Sequence, residues 1–167
     1  MKNIVLIGMM GCGKTTVGGL LARRFDREFL DTDARIEQRE GRSIPDIFAQ
    51  DGEEYFRALE LALCRELAGR ADAVIACGGG LPLRAEAIEL LKPNGLVFWL
   101  DRDPGETFDR LDTAHRPLAQ SGREDFLARA AARAPIYQKR ADYRIHAASP
   151  QEAEALISTI YTEVHQP

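Results

Sequence analysis

The chain is poor in several things, and each shortage narrows what it is. It has three cysteines, Cys12, Cys64 and Cys77, an odd number at wide spacings. That excludes a disulfide frame and a cysteine-built zinc site, and points to reduced thiols in a cytoplasm. No apolar run approaches the roughly 20 residues of a membrane-spanning helix. The opening Met-Lys-Asn and the short apolar stretch after it lack the form of a signal peptide, so a cytoplasmic protein without membrane contact is expected. Net charge is −4 and no basic run exceeds two residues, which argues against nucleic acid as a partner. Repeats, low-complexity tracts and linkers are missing too, so residues 1–167 read as a single domain, expected as a monomer. Lysine is scarce, 4 against 18 arginines. Arginine is the better residue for two-pronged grips on carboxylate and phosphate.

Against this plain background one stretch stands out, Gly8-Met9-Met10-Gly11-Cys12-Gly13-Lys14-Thr15. It follows the apolar Ile4-Val5-Leu6-Ile7 and opens a segment of helical spacing, with Val17, Leu20, Leu21 and Phe25 on one face. Strand, glycine-rich turn and helix in that order are what a phosphate-binding P-loop requires. Glycines let backbone N–H groups approach a phosphate, and the helix behind adds its positive N-terminal dipole. ATP is therefore the expected co-substrate, held by Gly11, Cys12, Gly13, Lys14, Thr15 and Thr16. Lys14 is placed for the β- and γ-phosphates and the Thr15 hydroxyl for Mg2+. No structural reason for Gly11 and Gly13 is visible in the pattern. Cys12 reads either as a thiol activated at a helix N-terminus or as a small filler facing the sheet.

Further along, strands are expected at 28–30, 73–77, 96–100 and 143–146. Helices are expected at 34–40, 43–49, 52–67, 84–91, 124–140 and 150–164. Pro135 should kink or split the helix that contains it. The polar stretch 112–122, with Pro117 and Gly122, reads as a mobile lid. Strands alternating with helices argue for an α/β fold, a five-stranded parallel sheet covered on both faces. Ligands in such sheets lie at the carboxyl ends of the strands, which gathers the loop, Asp31, Asp33 and the Gly78-Gly79-Gly80 turn at one edge.

Two strands run into an aspartate that suits a metal, Asp31 and Asp101. Asp31 is preferred, because Asp33 lies two residues on and the pair suits a division between metal and base. Helix capping explains both residues equally well. Asp101 belongs to a cap-rich turn, Asp103-Pro104-Gly105-Glu106. Arg57, at helical spacing from Glu53 and Glu60, reads as a surface ion pair or as a ligand for an anion. Arg133 reads as a helix C-terminal charge or a second such ligand. Arg116 is either solvated or a charge delivered by the lid, and His115 beside it is read as solvated.

Over nearly its whole length the chain resembles the shikimate kinase family. The likeness rests on the loop through Thr16-Val17-Gly18, on Leu30-Asp31-Thr32-Asp33 with Ile36-Glu37, and on Gly41-Arg42-Ser43-Ile44 with Ile47-Phe48. It continues through Gly52-Glu53, Phe56-Arg57, Glu60, Gly78-Gly79-Gly80, Arg116-Pro117-Leu118 and Arg133-Ala134-Pro135 with Tyr137. Ala119, where the family often has leucine, and Cys12 depart from its pattern. The resemblance implies a P-loop NTP hydrolase-like three-layer sandwich with strand order 2-3-1-4-5, a substrate-binding helical segment at about 33–61 and a lid. It implies transfer of the γ-phosphate of ATP to the 3-hydroxyl of shikimate, in aromatic amino-acid biosynthesis. Asp33 would contact the shikimate hydroxyls as base, and Asp31 would support Mg2+ through water. Arg57 and Arg133 would grip the carboxylate beside Gly78, Gly79 and Gly80, and Arg116 would reach the phosphates. Two other readings stay open: a kinase of another small hydroxy acid such as gluconate, and a nucleotide-binding module without turnover.

Overall fold

The structure, a computed structural model, describes residues 1–111 and 122–165. Its strands are β1 (Asn3–Ile7), β2 (Glu28–Asp31), β3 (Ala73–Ala76), β4 (Gly95–Leu100) and β5 (Tyr143–Ile145). They form one sheet in the order β2-β3-β1-β4-β5, every neighbouring pair parallel. The helices are α1 (Lys14–Phe25), α2 (Thr32–Glu40), α3 (Ile44–Ala68), α4 (Ala85–Leu91), α5 (Pro104–Asp109), α6 (Arg123–Arg140) and α7 (Pro150–Val164). This is the three-layer arrangement expected from the resemblance.

The layers follow from the twofold alternation of strand side chains. Val5, Ile7, Ile75, Val97 and Trp99 share a core with Ile36 of α2, Phe56 of α3, Ile88 of α4 and Tyr137 of α6. Ile4, Leu6, Val74, Leu96 and Phe98 face the other way, onto Val17 and Leu21 of α1 and Ile157 and Tyr161 of α7. Since both faces are covered, β1, β3 and β4 are buried along their whole lengths, which is why they read as unbroken apolar runs.

Local chemistry sets the helix boundaries. The Asp31 carboxylate accepts from Ala34 N at 3.1 Å and caps α2, which ends at Gly41 with φ 66°. Ser43, Asp103 and Ser149 cap α3, α5 and α7 in the same way, each followed by a proline in the first turn. The two helices expected at 43–49 and 52–67 adjoin without a loop, but Gly52, at φ 84° and ψ 172°, breaks the helical path between them. Of the two outcomes expected at Pro135, the split does not occur: α6 continues through it to Arg140. Proline removes one intrahelical bond, but Ala130 and Tyr137 on either side are buried, and their packing supports the helix on both sides of it. The expected lid, with His115, Arg116 and Ala119, lies outside the described residues except for Gly122.

Parallel register aligns the strand ends. Leu6 pairs with Ala76 and Phe98, and Asp31 pairs with Ala76. The next residues, Gly8, Thr32 with Asp33, and Cys77 with Gly78, therefore come out at one edge. The first of these admits no side chain. Gly8 has φ 147°, and a Cβ there would lie 2.8 Å from the Leu100 carbonyl oxygen and 2.9 Å from Cys12 Sγ. Backbone on a central strand cannot yield, so Gly8→Ala is expected to cost more than about 1 kcal/mol. Urea unfolding checks this: the midpoint should fall with little change in slope, and an unchanged midpoint would contradict it.

Candidate active site

The loop from Gly8 to Thr15 is closed by its own bonds. Cys12 N donates to Met9 O at 3.2 Å, and Gly11 and Gly13 adopt φ 77° and 100°. Both glycines thus have the structural reason that was not visible in the pattern: each is in the left-handed region, and a Cβ on Gly11 would also overlap Leu111. Gly13 begins α1 without a side-chain cap, and the first turn carries no acid. The amides of that turn are the kind of positive, uncapped N-terminus that suits an anion. Lys14 curls back over the loop, its Nζ donating to Gly8 O and Met9 O at 2.8 Å each. Cys12 is 3% exposed among Val17, Leu100 and Ile145, with Sγ 3.7 Å from Lys14 Nζ, in the position of a core filler.

Thr15 Oγ1 donates to Asp31 Oδ2 at 3.2 Å, while Asp31 Oδ1 caps α2. The two readings of Asp31, cap and ligand, therefore use different oxygens of one carboxylate. Asp101 is committed elsewhere: its Oδ2 accepts from Arg144 Nε at 2.8 Å, across the β4–β5 edge. Thr15 and Asp31 offer hard oxygens of the kind Mg2+ takes, and that ion is commonly held by one or two protein oxygens together with substrate phosphates. Among the described residues no group of three acidic, histidine or cysteine side chains could cage a metal without such help.

Across from the loop, the turn of Gly78, Gly79 and Gly80 gathers three polar side chains, one against each glycine. A Cβ on Gly78 would overlap the Asp33 carboxylate, and a Cβ on Gly80 would overlap the Arg57 guanidinium. At Gly79 a Cβ would lie 3.5 Å from Arg133 Nη1. The turn itself is pinned by residues to which the sequence reading gave no role. Gly78 N donates to Thr32 Oγ1 at 2.9 Å, and Tyr137 OH donates to Gly79 O at 2.6 Å. Burial pushes the Tyr137 hydroxyl up to about 12, so it stays a donor. Thr32 and Tyr137 stood inside quoted motifs, but only the fold shows what they hold.

The charges here are unusual for their burial. Asp33 is pushed up to about 6, first by burial and then by the neighbouring charge of Asp31, against the pull of Lys14. Arg57 is buried, at 8% exposure, and so is Glu60, at 2%. Arg57 Nη1 donates to Glu60 Oε2 at 2.6 Å, and Arg57 Nη2 to Glu53 Oε1 at 3.3 Å. The ion pairs weighed for Arg57 thus both exist, but it is not a surface residue. Burial alone would lower Arg57, yet the carboxylate of Glu60 outweighs it and keeps the guanidinium charged. Burial drives Glu60 up to about 7 against that same attraction. Breaking a buried pair of this kind costs about 3–5 kcal/mol, whereas an exposed pair is worth about 0–1 kcal/mol. All three cysteines are free and buried, and burial raises the Cys64 and Cys77 thiols, so neither is a thiolate.

Comparison with known proteins gives these residues a context. The family model described as "Shikimate kinase" matches residues 10–165. The chain is 43% identical over 164 residues to a shikimate kinase of Pelotomaculum thermopropionicum, covering 96% of this chain and 95% of that protein. It is 46% identical over 148 residues to one of Symbiobacterium thermophilum, covering 86% and 85%. A solved shikimate kinase of Acinetobacter baumannii in complex with shikimate superposes with a TM-score of 0.88 at 36% identity, over 98% of this chain and 93% of that one.

The state of Asp33 has a measurable consequence for stability. Its folded value, about 6, exceeds the ordinary 3.8. Its contribution to stability is therefore fully present below about pH 4 and is lost as pH rises through about 6. Asp33→Asn removes that loss. The variant should be more stable than the parent at pH 8, by up to about 3 kcal/mol, and the gap should close toward pH 4. Denaturant midpoints at pH 4, 6 and 8 check this, and a gap independent of pH would contradict it.

Proposed function

The chain belongs to the shikimate kinase family, and we propose that its cleft moves the γ-phosphate of ATP onto the 3-hydroxyl of shikimate with Asp33 as the base. The observation that carries this reading is the convergence on one glycine turn of an acid near neutrality and two arginines. Such a trio suits a small carboxylic acid with an adjacent hydroxyl, and the P-loop stands across from it.

Each group has a role that follows from its chemistry. The loop amides and the α1 N-terminus hold the phosphates, with Gly11, Cys12, Gly13, Thr15 and Thr16 as the backbone cradle. Lys14 exchanges the carbonyls of Gly8 and Met9 for the β- and γ-phosphate oxygens. Thr15 directly, and Asp31 through water, would hold Mg2+ with those phosphates. When bound, that ion would supply positive charge to offset the negative charge of the phosphate oxygens. Arg57 and Arg133 receive the carboxylate of the acid, and the backbone of Gly78, Gly79 and Gly80 lets the ring approach closely. Asp33 accepts the hydroxyl proton, and a value of about 6 suits a base that must be ionised at neutral pH and still take a proton. Arg116, outside the described residues, is assigned the charge of the transferred group on the strength of the resemblance alone.

Four measurements test this reading. With ATP, turnover of shikimate should exceed that of quinate and gluconate, and a preference for gluconate would contradict the named substrate. Asp33→Asn should lower kcat by about two to four orders of magnitude while ATP affinity stays close to the parent value. In the parent enzyme kcat/KM should rise as pH passes up through about 6, and a rate insensitive to the substitution would remove Asp33 from the mechanism. Arg133→Ala should raise KM for shikimate far more than KM for ATP, and equal effects would contradict a carboxylate clamp.

A further inference from the structure

Arg57 holds two carboxylates at once, and the two differ in kind. Glu60, three residues after it, is bonded at 2.6 Å, and its side chain is 3% exposed. Glu53, four residues before it, is bonded at 3.3 Å, and its side chain is 61% exposed. Glu60 has nowhere to go: its other oxygen, Oε1, is buried without a partner, so the bond to Arg57 is its one satisfied contact among the described residues. Glu53 follows the break in α3 at Gly52, next to solvent, and can turn outward at little cost. The guanidinium as a whole lies over Gly80, with both Nη1 and Nη2 against the glycine turn, and Nη2 is the nitrogen that Glu53 occupies.

We propose that Glu53 is a stand-in for the substrate's carboxylate, holding Nη2 of Arg57 until the acid binds and then yielding it. The proposal rests on the reading that Arg57 grips that carboxylate. The stand-in does two things. It keeps a buried guanidinium compensated and aimed while no ligand is bound. It also discounts the affinity of every ligand, because the binding-competent form, with Glu53 turned away, is only a fraction of the population. A carboxylate replaces like with like and recovers the contact. A neutral analogue does not, because Arg57 is what distinguishes the charge of the acceptor, and Glu53 acts as a positioning residue for Arg57.

The test compares equilibrium binding and KM for shikimate and its methyl ester. The proteins are the parent, Glu53→Gln, Arg57→Ala and the double variant, with Glu54→Gln as a charge control. Glu54 is one residue away, 87% exposed and paired with Arg84. Glu53→Gln should tighten shikimate binding by about two- to fivefold, the worth of an exposed ion pair. The ester should gain by a similar factor, because the discount falls on every ligand, so the ratio of ester to acid dissociation constants should stay close to the parent value. The gain should vanish in the Arg57→Ala background and be absent in Glu54→Gln. A structural defect would instead weaken binding and lower kcat together. Overturning results are unchanged or weaker shikimate binding in Glu53→Gln, or an equal gain in Glu54→Gln. If Arg57→Ala still weakens shikimate binding in that case, the carboxylate clamp survives and only the stand-in falls. If Arg57→Ala leaves shikimate binding unchanged, the clamp itself is wrong and the stand-in falls with it.

Discussion

The constraint on which the site depends is the close approach of three polar side chains to a backbone turn that carries none. Gly78, Gly79 and Gly80 follow β3 at the carboxyl edge of the sheet, and Asp33, Arg133 and Arg57 each lie against one of them. Any side chain at Gly78 or Gly80 would take the space in which a charged group stands. The turn is fixed from both sides, by the Thr32 hydroxyl at the head of α2 and by Tyr137 in α6. The consecutive helices α2 and α3 and the distant α6 therefore present their charges in a shared frame. Phosphoryl transfer needs this more than it needs reactive groups, because positioning and charge neutralisation supply most of the catalysis.

That arrangement works against the stability of the fold. Asp33 is half-buried beside another acid, and Glu60 is buried with one oxygen unsatisfied. Arg57 is charged and nearly out of solvent. A chain selected for stability alone would have packed this region with apolar side chains. The core supplies the compensation: β1, β3 and β4 are buried on both faces, and two apolar clusters cover the sheet. The strained polar edge sits on that rigid support, as a site requiring fixed geometry demands.

Much of this was legible in the sequence where the causes are local. The loop was readable because its glycines, its lysine and the flanking strand and helix are neighbours in the chain. The caps at Ser43, Asp103 and Ser149 and the end at Gly41 follow from residue chemistry within a few positions. The choice of Asp31 over Asp101 as the acid for a metal came from spacing, and in the fold Asp31 meets Thr15 while Asp101 meets Arg144. What stayed hidden depends on distant partners. Thr32 meets Gly78 across 46 residues, and Tyr137 meets Gly79 across 58. Helical spacing exposed the pairs of Arg57 with Glu53 and Glu60 but not their burial, which is decided by what packs over α3. That α6 is not split at Pro135 was hidden too, because the helix is held by tertiary packing on both sides of the proline.

The most direct test of the central claim is a crystal structure of the enzyme with shikimate and a non-hydrolysable ATP analogue. The account predicts the carboxylate of the acid within hydrogen-bond distance of the guanidiniums of both Arg57 and Arg133. It also predicts the 3-hydroxyl bonded to Asp33 and facing the terminal phosphate held at Lys14. A ligand seated away from the turn of Gly78, Gly79 and Gly80, or an Asp33 carboxylate turned from the hydroxyl with both ligands present, would contradict it.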